Sequence, residues 1–452
     1  MFIFSQENWE TIGLGLNASA QIRDFYNDTA NDRLIMIGSF ASIDTFQNNG
    51  IAVYDGNTWD CFSEGLVSSG MQIYSIIEYH DTLYIGGWFW DVWNGETVHN
   101  IAKWNGNTWV GLGFNTEELN VYNMRIINNE LFILTAADSI NGIEINGVLK
   151  YNGNEWSNFY DLPKYDTLYG NNNMINDIAY YKGEYYIGGN FSNNNLTIQD
   201  IVKYNGTEWV DVGGSIKGSM STVNRMVVYN NELIVAGAIF KSDGNIGNLL
   251  QKWNGTEWNE FINLGYNNNY DANAEVKEMK IYNNKLYMSG IFRYANDMPC
   301  AGVIVYDGNQ VCSYASSMYG TAGAFGFYHD TLYIAGMDSI DHVDVNRIAK
   351  WIGGNDFDTC SVLQSVPQIN NELNNLIIYP NPANGEFNIK LNTKTPSKVE
   401  ITIFNINGSK TFEKQFYQTN EIKIDNLHSE KGVYFVKIKT DKFIEVEKLI
   451  IN

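Results

Sequence analysis

Val223-Asn224-Arg225-Met226-Val227-Val228-Tyr229-Asn230-Asn231-Glu232-Leu233-Ile234-Val235-Ala236-Gly237 outlines a complete β-hairpin. Two runs rich in Val, Ile and Leu flank Asn230-Asn231, and such residues suit a pleated, half-buried surface. Asn tolerates positive φ, which a tight type I′ turn demands at both central residues. Moving outward, Leu249 to Trp253 reads as a third strand. Asn254-Gly255 then reads as a second tight turn, into a fourth strand at Trp258. The unit is therefore four short antiparallel strands.

The same unit recurs along the chain. An aromatic residue followed by Asn/Asp-Gly and then Trp stands at Tyr54-Asp55-Gly56…Trp59, Trp104-Asn105-Gly106…Trp109 and Tyr151-Asn152-Gly153…Trp156. It returns at Tyr204-Asn205-Gly206…Trp209, Trp253-Asn254-Gly255…Trp258 and Tyr306-Asp307-Gly308, with a degraded copy at Trp351 to Phe357. The leading aromatics are 50, 47, 53, 49, 53 and 45 residues apart. A second motif alternates with the first: a β run ending in small residues, as in Leu83-Tyr84-Ile85-Gly86-Gly87 and Leu332-Tyr333-Ile334-Ala335-Gly336. It too occurs seven times, counting weaker copies at Leu34 and Leu131. One such unit cannot bury both its faces alone, so stacking around a ring supplies the core. The expectation is an all-β chain: a seven-bladed β-propeller of four-stranded antiparallel blades plus a small C-terminal β-sandwich. Trp9 resembles a fourth-strand residue without strands before it. It is expected to close the last blade, with the segment around Phe357 as its rival.

The paired glycines after strand two, the strand-three aromatic and the strand-four Trp resemble kelch and galactose-oxidase-type propellers, over about residues 7–360. The resemblance implies architecture, since such blades carry many functions.

After Cys360 the repeat stops, and 361–374 reads as a polar linker. Residues 375–452 alternate as short strands with turn residues between them, which suits a small antiparallel sandwich. The tail also resembles the type A C-terminal sorting domain of the type IX secretion system of Bacteroidetes. The residues that carry this are Tyr379-Pro380-Asn381-Pro382 with Gly385, the strand turn at Gly408, Gly432 with Tyr434, and Lys448 near the end. The resemblance implies export through the periplasm, an outer-membrane translocon as partner, and a final location that is secreted or on the outer cell surface. Met1 to Gln6 is too short for a signal peptide and reads as the tail of one.

Charge divides the chain the same way. The whole carries −22, while residues 375–452 hold 11 Lys against 9 Asp and Glu and so carry +2. The acidic remainder would repel a phosphate backbone, which argues against nucleic-acid binding. No apolar run is long enough for a membrane helix. The four cysteines, Cys61, Cys300, Cys312 and Cys360, lack CxxC spacing. Cys300 and Cys312 fall out of hairpin register, so buried free thiols are expected.

No catalytic signature is present: no HExxH, no GxSxG and no phosphate loop. The histidines are scattered, and His80 and His329 occupy equivalent turns. A copper-ligating set of the galactose-oxidase type cannot be assigned, and no cofactor is expected. Strand alternation puts both tight turns of each blade on one face and the longer loops on the other. The long-loop face is therefore the candidate functional surface. There, Trp88-Phe89-Trp90-Asp91-Val92-Trp93 stands out. Phe89 matches Phe40 and Phe292 and is read as core. Trp90, Asp91 and Trp93 have no repeat counterparts and suit stacking on a sugar ring with hydrogen bonding to its hydroxyls, against packing on a neighbouring loop. Tyr266, Tyr270 and Asp271 form a second candidate. Asp338, Asp341, Asp344 and Asn346 offer hard oxygen ligands, but without EF-hand spacing they read as a solvated acidic loop. The expected function is binding or adhesion to a glycan or surface protein. The alternatives are a secreted carbohydrate-active enzyme with its site in the central channel, and a structural surface-layer component.

Overall fold

In the computed structural model, the described residues are 8–452 without 17–18, 45, 48–49, 63–70, 94–95, 113–118, 141, 161–173, 194–195, 219–220, 267–273, 297, 354–358, 363–375, 392–397, 406–409, 418, 426, 428–430 and 441–443. The chain divides into two compact units, Met1–Leu363 and Gln364–Asn452.

In the first unit the four-strand unit read from the sequence recurs as a sheet. Its fifth copy runs Thr222–Tyr229, Glu232–Ala238, Leu250–Trp253 and Trp258–Asn259, in that spatial order. Seven such sheets follow one another among the described residues. Their first strands are Gln21–Asp28, Gln72–Tyr79, Val121–Ile127, Met174–Tyr181, Thr222–Tyr229, Glu275–Tyr282 and Met318–Tyr328. Each packs against the next, and the last packs against the first. The unit is a closed β-propeller with these strands innermost.

Two turn chemistries build each blade. The first hairpin is the tight turn expected: Asn230 and Asn231 have φ of 48° and 62°, and His80 with Asp81 and His329 with Asp330 behave alike. The second differs from the two-residue turn read from the sequence. Trp253 pairs with Trp258, so four residues form the loop. The Asn254 carboxamide oxygen accepts the amides of Thr256 and Glu257 at 2.8 and 3.0 Å, and only Gly255 takes positive φ. Asp55, Asn105, Asn152, Asn205 and Asp307 repeat the device. A side-chain acceptor thus replaces one peptide acceptor in the turn.

The strand-two glycines meet the innermost strand where its register slips, between Val223 and Arg225 in the fifth blade. A Cβ on Gly237 would lie 2.1 Å from the Thr222 carbonyl oxygen, so only Gly fits there.

Cores form between consecutive blades. Trp253 of the fifth blade buries its ring among Tyr186, Ile201 and Met226, and its Nε1 donates to the Tyr186 hydroxyl at 3.2 Å. The ring closes through Trp9–Thr11, which pairs with Ile348–Trp351 in the seventh blade, Trp9 opposite Trp351. Trp9 is buried, and its Nε1 donates to the Tyr314 carbonyl at 3.0 Å. The rival segment goes elsewhere. Thr359–Val362 adds a fifth strand to the sixth blade beside Gln310–Ser313, while Phe357 lies outside the described residues.

That strand corrects the cysteine reading. Cys360 stands opposite Cys312, and the two form a disulfide. The expectation of free thiols thus fails for Cys312 and Cys360, because the strand that brings them together pairs across a sequence separation of 48 that no local pattern marks. Cys300 is buried and Cys61 half-buried, and neither forms a disulfide among the described residues.

The second unit is a sandwich. One sheet orders Leu376–Tyr379, Phe387–Leu391 and Glu421–Ile424. The other orders Lys410–Tyr417, Lys398–Asn405, Gly432–Thr440 and Ile444–Ile451. Alternate residues such as Ile389, Ile401, Val436 and Leu449 fill the core between them.

Candidate functional site

The Trp-rich segment is a strand where the sequence suggested a loop. Thr82–Trp93 and Glu96–Trp104 continue as a long hairpin in the second blade. Trp, Phe and Val are strong strand formers, so pairing resumes beyond a register shift between His99 and Ile101. Phe89 is fully buried, as expected of a core residue. Its amide donates to the Asn100 side-chain oxygen at 2.8 Å. Asn100 has φ +57°, the conformation that Gly50, Gly147 and Gly302 take at the equivalent place before strand three.

Strand alternation turns Trp88 and Trp90 to the side opposite Phe89. They are 38% and 50% exposed, and their rings meet edge to face at 5.4 Å. His99 stands opposite Trp90 across the hairpin. Trp88, Phe89, Trp90, His99 and Asn100 line a cavity of about 390 Å³. Two aromatic faces beside an imidazole and a carboxamide form an amphipathic cleft of the kind that holds small ligands. Asp91 and Trp93 occupy the strand positions opposite Val98 and Glu96.

The other candidates separate. Tyr266 is half-buried against the core between blades five and six, with the Arg293 guanidinium 5.3 Å from its ring. Tyr270 and Asp271 lie outside the described residues. In the acidic loop, Asp338 pairs with Arg347 at 3.4 Å, and Asp341 accepts the Ser316 and Ser317 amides at 2.8 and 2.9 Å. The Asn346 carboxamide donates to the Leu14 carbonyl at 3.3 Å. These side chains serve different partners.

A belt of charge on the innermost strands was not read from the sequence. Immediately after the register slip of the first six blades stands a polar residue, Asp24, Ser75, Asn123, Asp177, Arg225 and Glu278, whereas the seventh has Ala324. Asp177 binds Arg125 of the preceding blade at 2.7 and 3.0 Å and also accepts the Met226 amide of the following blade at 2.8 Å. Glu278 binds Arg225 at 3.0 Å, and Lys280 binds Asp24 at 2.5 Å. Burial opposes charge on Glu278, but the Arg225 and Lys280 cations prevail and hold its carboxyl below the usual range. Asp177 and Glu278 are thus matched by an arginine of the preceding blade, whereas Asp24 of the first blade is matched by Lys280 of the sixth, which also donates to the Phe325 carbonyl of the seventh between them. The available signal was a polar residue in an otherwise apolar strand, twelve residues before the strand-two glycine in most copies.

A second set of inter-blade bonds lies at the tight turns. Tyr79, Tyr181, Tyr229 and Tyr328 donate their hydroxyls to turn carbonyls of the next blade, at Asn129, Asn231, Asn284 and Asp32, within 2.9–3.0 Å. His80 and His329 stack on the tyrosines beside them and face Asn129 and Asp32. These turn histidines therefore help join blades.

In the tail, the Tyr379 hydroxyl donates to Glu421 at 2.6 Å, and both X-Pro bonds of the motif, to Pro380 and Pro382, are cis. Gly385 has φ +88° and accepts the Leu427 amide at 2.9 Å. Tyr434 is core, Lys448 is exposed, Gly432 opens its strand, and Gly408 lies outside the described residues.

Residues 377–452 match the secretion system C-terminal sorting domain. The sorting domain marks this chain for export by type IX secretion, to the cell surface or the medium. No helix among the described residues is long and apolar enough to cross a membrane. No curated protein matches the chain.

Among solved structures, the extracellular domain of a putative hybrid two-component system from B. thetaiotaomicron is similar at 14% identity, with a TM-score of 0.44. The match covers 99% of this chain and 58% of that one, so this chain spans little more than half its length. The Bombyx mori GH32 β-fructofuranosidase is similar at 8% identity and TM-score 0.31, covering 98% and 88%. A Bacteroides ovatus xyloglucan GH43B protein is similar at 10% identity and TM-score 0.21, covering 98% and 80%. These likenesses are too distant to bear on what the chain binds.

Proposed function

We propose that residues 7–360 are a kelch-like, seven-bladed propeller that binds a glycan at the second blade's long hairpin. In this reading 361–374 is a linker, and 375–452 delivers the propeller to the cell exterior. The observation that carries the proposal is the exposed Trp88–Trp90 pair beside His99 and Asn100 in the 390 Å³ cleft. A sugar ring offers an apolar face for an indole and hydroxyls for the polar groups. Two adjacent half-exposed indoles leave apolar surface in water, and a ligand that covers them gains the free energy of burying it.

The charge belt favours binding over chemistry in the channel, because Asp24, Asp177 and Glu278 are held by cations rather than poised against one another. A glycan array with the full chain and the Trp88→Ala/Trp90→Ala variant tests the proposal. Sugar binding by the full chain that weakens tenfold or more in the variant is expected, in line with roughly 1.4 kcal/mol or more of stacking. Equal binding by both would remove the assignment of the site.

A further inference from the structure

The reading of the tail as a sorting domain leaves open which of its surfaces is read during export. The side chains of the Tyr-Pro-Asn-Pro motif are exposed, but its hydrogen-bonding groups are spent within the domain. Pro380 and Pro382 lack an N–H, so they have no donor to offer a neighbouring strand. Asn381 supplies the missing groups from its side chain. Its Nδ2 donates to the Lys448 carbonyl at 2.6 Å, and its Oδ1 accepts the Ile450 amide at 2.9 Å. Ala383 continues the pattern: its amide donates to the Ile450 carbonyl at 2.8 Å, and its carbonyl accepts the Asn452 amide at 2.9 Å. The motif thereby covers the outer edge of Ile444–Ile451 from Lys448 onward, which would otherwise be open to strand addition.

The inner faces of both sheets are core. Of the two outer faces, that of the three-stranded sheet sets Lys390 and Lys423 beside Glu421, with Lys423 paired to Asp425 at 2.6 Å, and that of the four-stranded sheet is the more basic. There Phe404 stands opposite Phe435, and Phe435 opposite Lys448, in one row across three strands. Phe435 is 41% exposed. Lys437 and Lys439 follow Phe435 on the same face, opposite Thr402 and Glu400. Lys437, Lys439 and Lys448 make no ion pair among the described residues, and Glu400 is already held by Lys398 at 2.6 Å. Lys439 also acts on Glu400 across the strands, and Glu413 lies in the row of Lys437, so the face is an exposed aromatic beside lysines that outnumber the carboxylates.

We propose that this face docks the tail on the export machinery, in an acidic protein groove with an apolar pocket for Phe435. The proposal rests on the sorting reading. Charge complementarity supports the occupant: the tail is +2, whereas the rest of the chain is −24. An acidic groove attracts this face and repels the propeller, so it selects the tail and sets its orientation.

The test is export of the full chain from cells that carry type IX secretion. Lys437→Glu/Lys439→Glu should accumulate in the periplasm, with exported protein reduced tenfold or more. Lys437→Arg/Lys439→Arg should be exported normally. Lys390→Glu/Lys423→Glu makes the same charge change on the other sheet, where both lysines are exposed, and should also be exported normally. Hydrogen exchange on the purified full-length Glu variant should show the protection of Ile401 and Val436 retained. Normal export of the Lys437/Lys439 Glu variant overturns the proposal, as does equal retention of the two Glu variants or loss of that protection. Binding of the purified chain to phosphatidylglycerol vesicles, abolished by the same variant, also overturns it, in favour of a lipid surface. Removal of 375–452 separates the two readings. If that truncation is exported, the sorting reading fails; if it is retained while the Lys437/Lys439 Glu variant is exported, only the docking face fails.

Discussion

At the residue scale, one buried carboxyl gives a pH signature. Asp200 takes the place that Asn100 holds in the second blade: its Oδ1 accepts the Phe191 amide at 3.0 Å, as Asn100 accepts that of Phe89. Burial pushes its pKa up to about 7, against the bonds from Ser221 and Phe191. A raised carboxyl pKa means that the folded state binds the proton more tightly than the unfolded state. Stability from this group is therefore full below about pH 4 and falls as pH rises towards 7. Asp200→Asn keeps the acceptor and removes the charge. It should stabilise the propeller at pH 8 by roughly 1–3 kcal/mol and leave it nearly unchanged at pH 4. Urea unfolding at both pH values checks this, and equal shifts at the two would refute it. Single polar residues of this kind were the least legible part of the sequence. Asp177 and Glu278 sit in apolar strands, and nothing in their neighbours says which cation from another blade meets them.

At the element scale, hairpins were legible because their turn chemistry is local. Asn230-Asn231 announces its positive φ, whereas Asn254-Gly255 looks the same and builds a longer loop, since Asn254 turns its side chain onto two amides. The Trp88 to Trp93 segment reads as a loop in the sequence yet pairs as a strand, because its partner Glu96–Trp104 lies across the hairpin. The fifth strand of blade six was hidden for a similar reason: Thr359–Val362 pairs with residues some 50 positions earlier. Its disulfide closes a sequence separation of 48. Cys312→Ser/Cys360→Ser should lower stability by about 2–4 kcal/mol. Thermal unfolding of the variant and of the wild type, each with and without reductant, measures this. Reductant should destabilise only the wild type, and no difference between the two proteins would show that the bridge contributes nothing.

At the scale of the whole molecule, the ring was legible because two independent motifs repeat seven times and no single blade can bury its own faces. The closing strand was also legible, since Trp9 is a fourth-strand residue without a blade of its own. The sorting domain was legible from motif order. The docking face was not, because it combines residues from adjacent strands such as Phe404, Phe435 and Lys448. The stacking of the blades, and with it the setting of the Trp88–Trp90 cleft in the second blade, depends on closure between the seventh blade and the N-terminal strand. Glu10 faces Lys350 in register, with an ion pair at 3.3 Å. The most direct measurement is therefore oxidative cross-linking of Glu10→Cys/Lys350→Cys, with the product mapped by peptide mass spectrometry. A cross-link between positions 10 and 350 within a single chain is expected in high yield. No such link, or one found only between two chains, would contradict the closed ring.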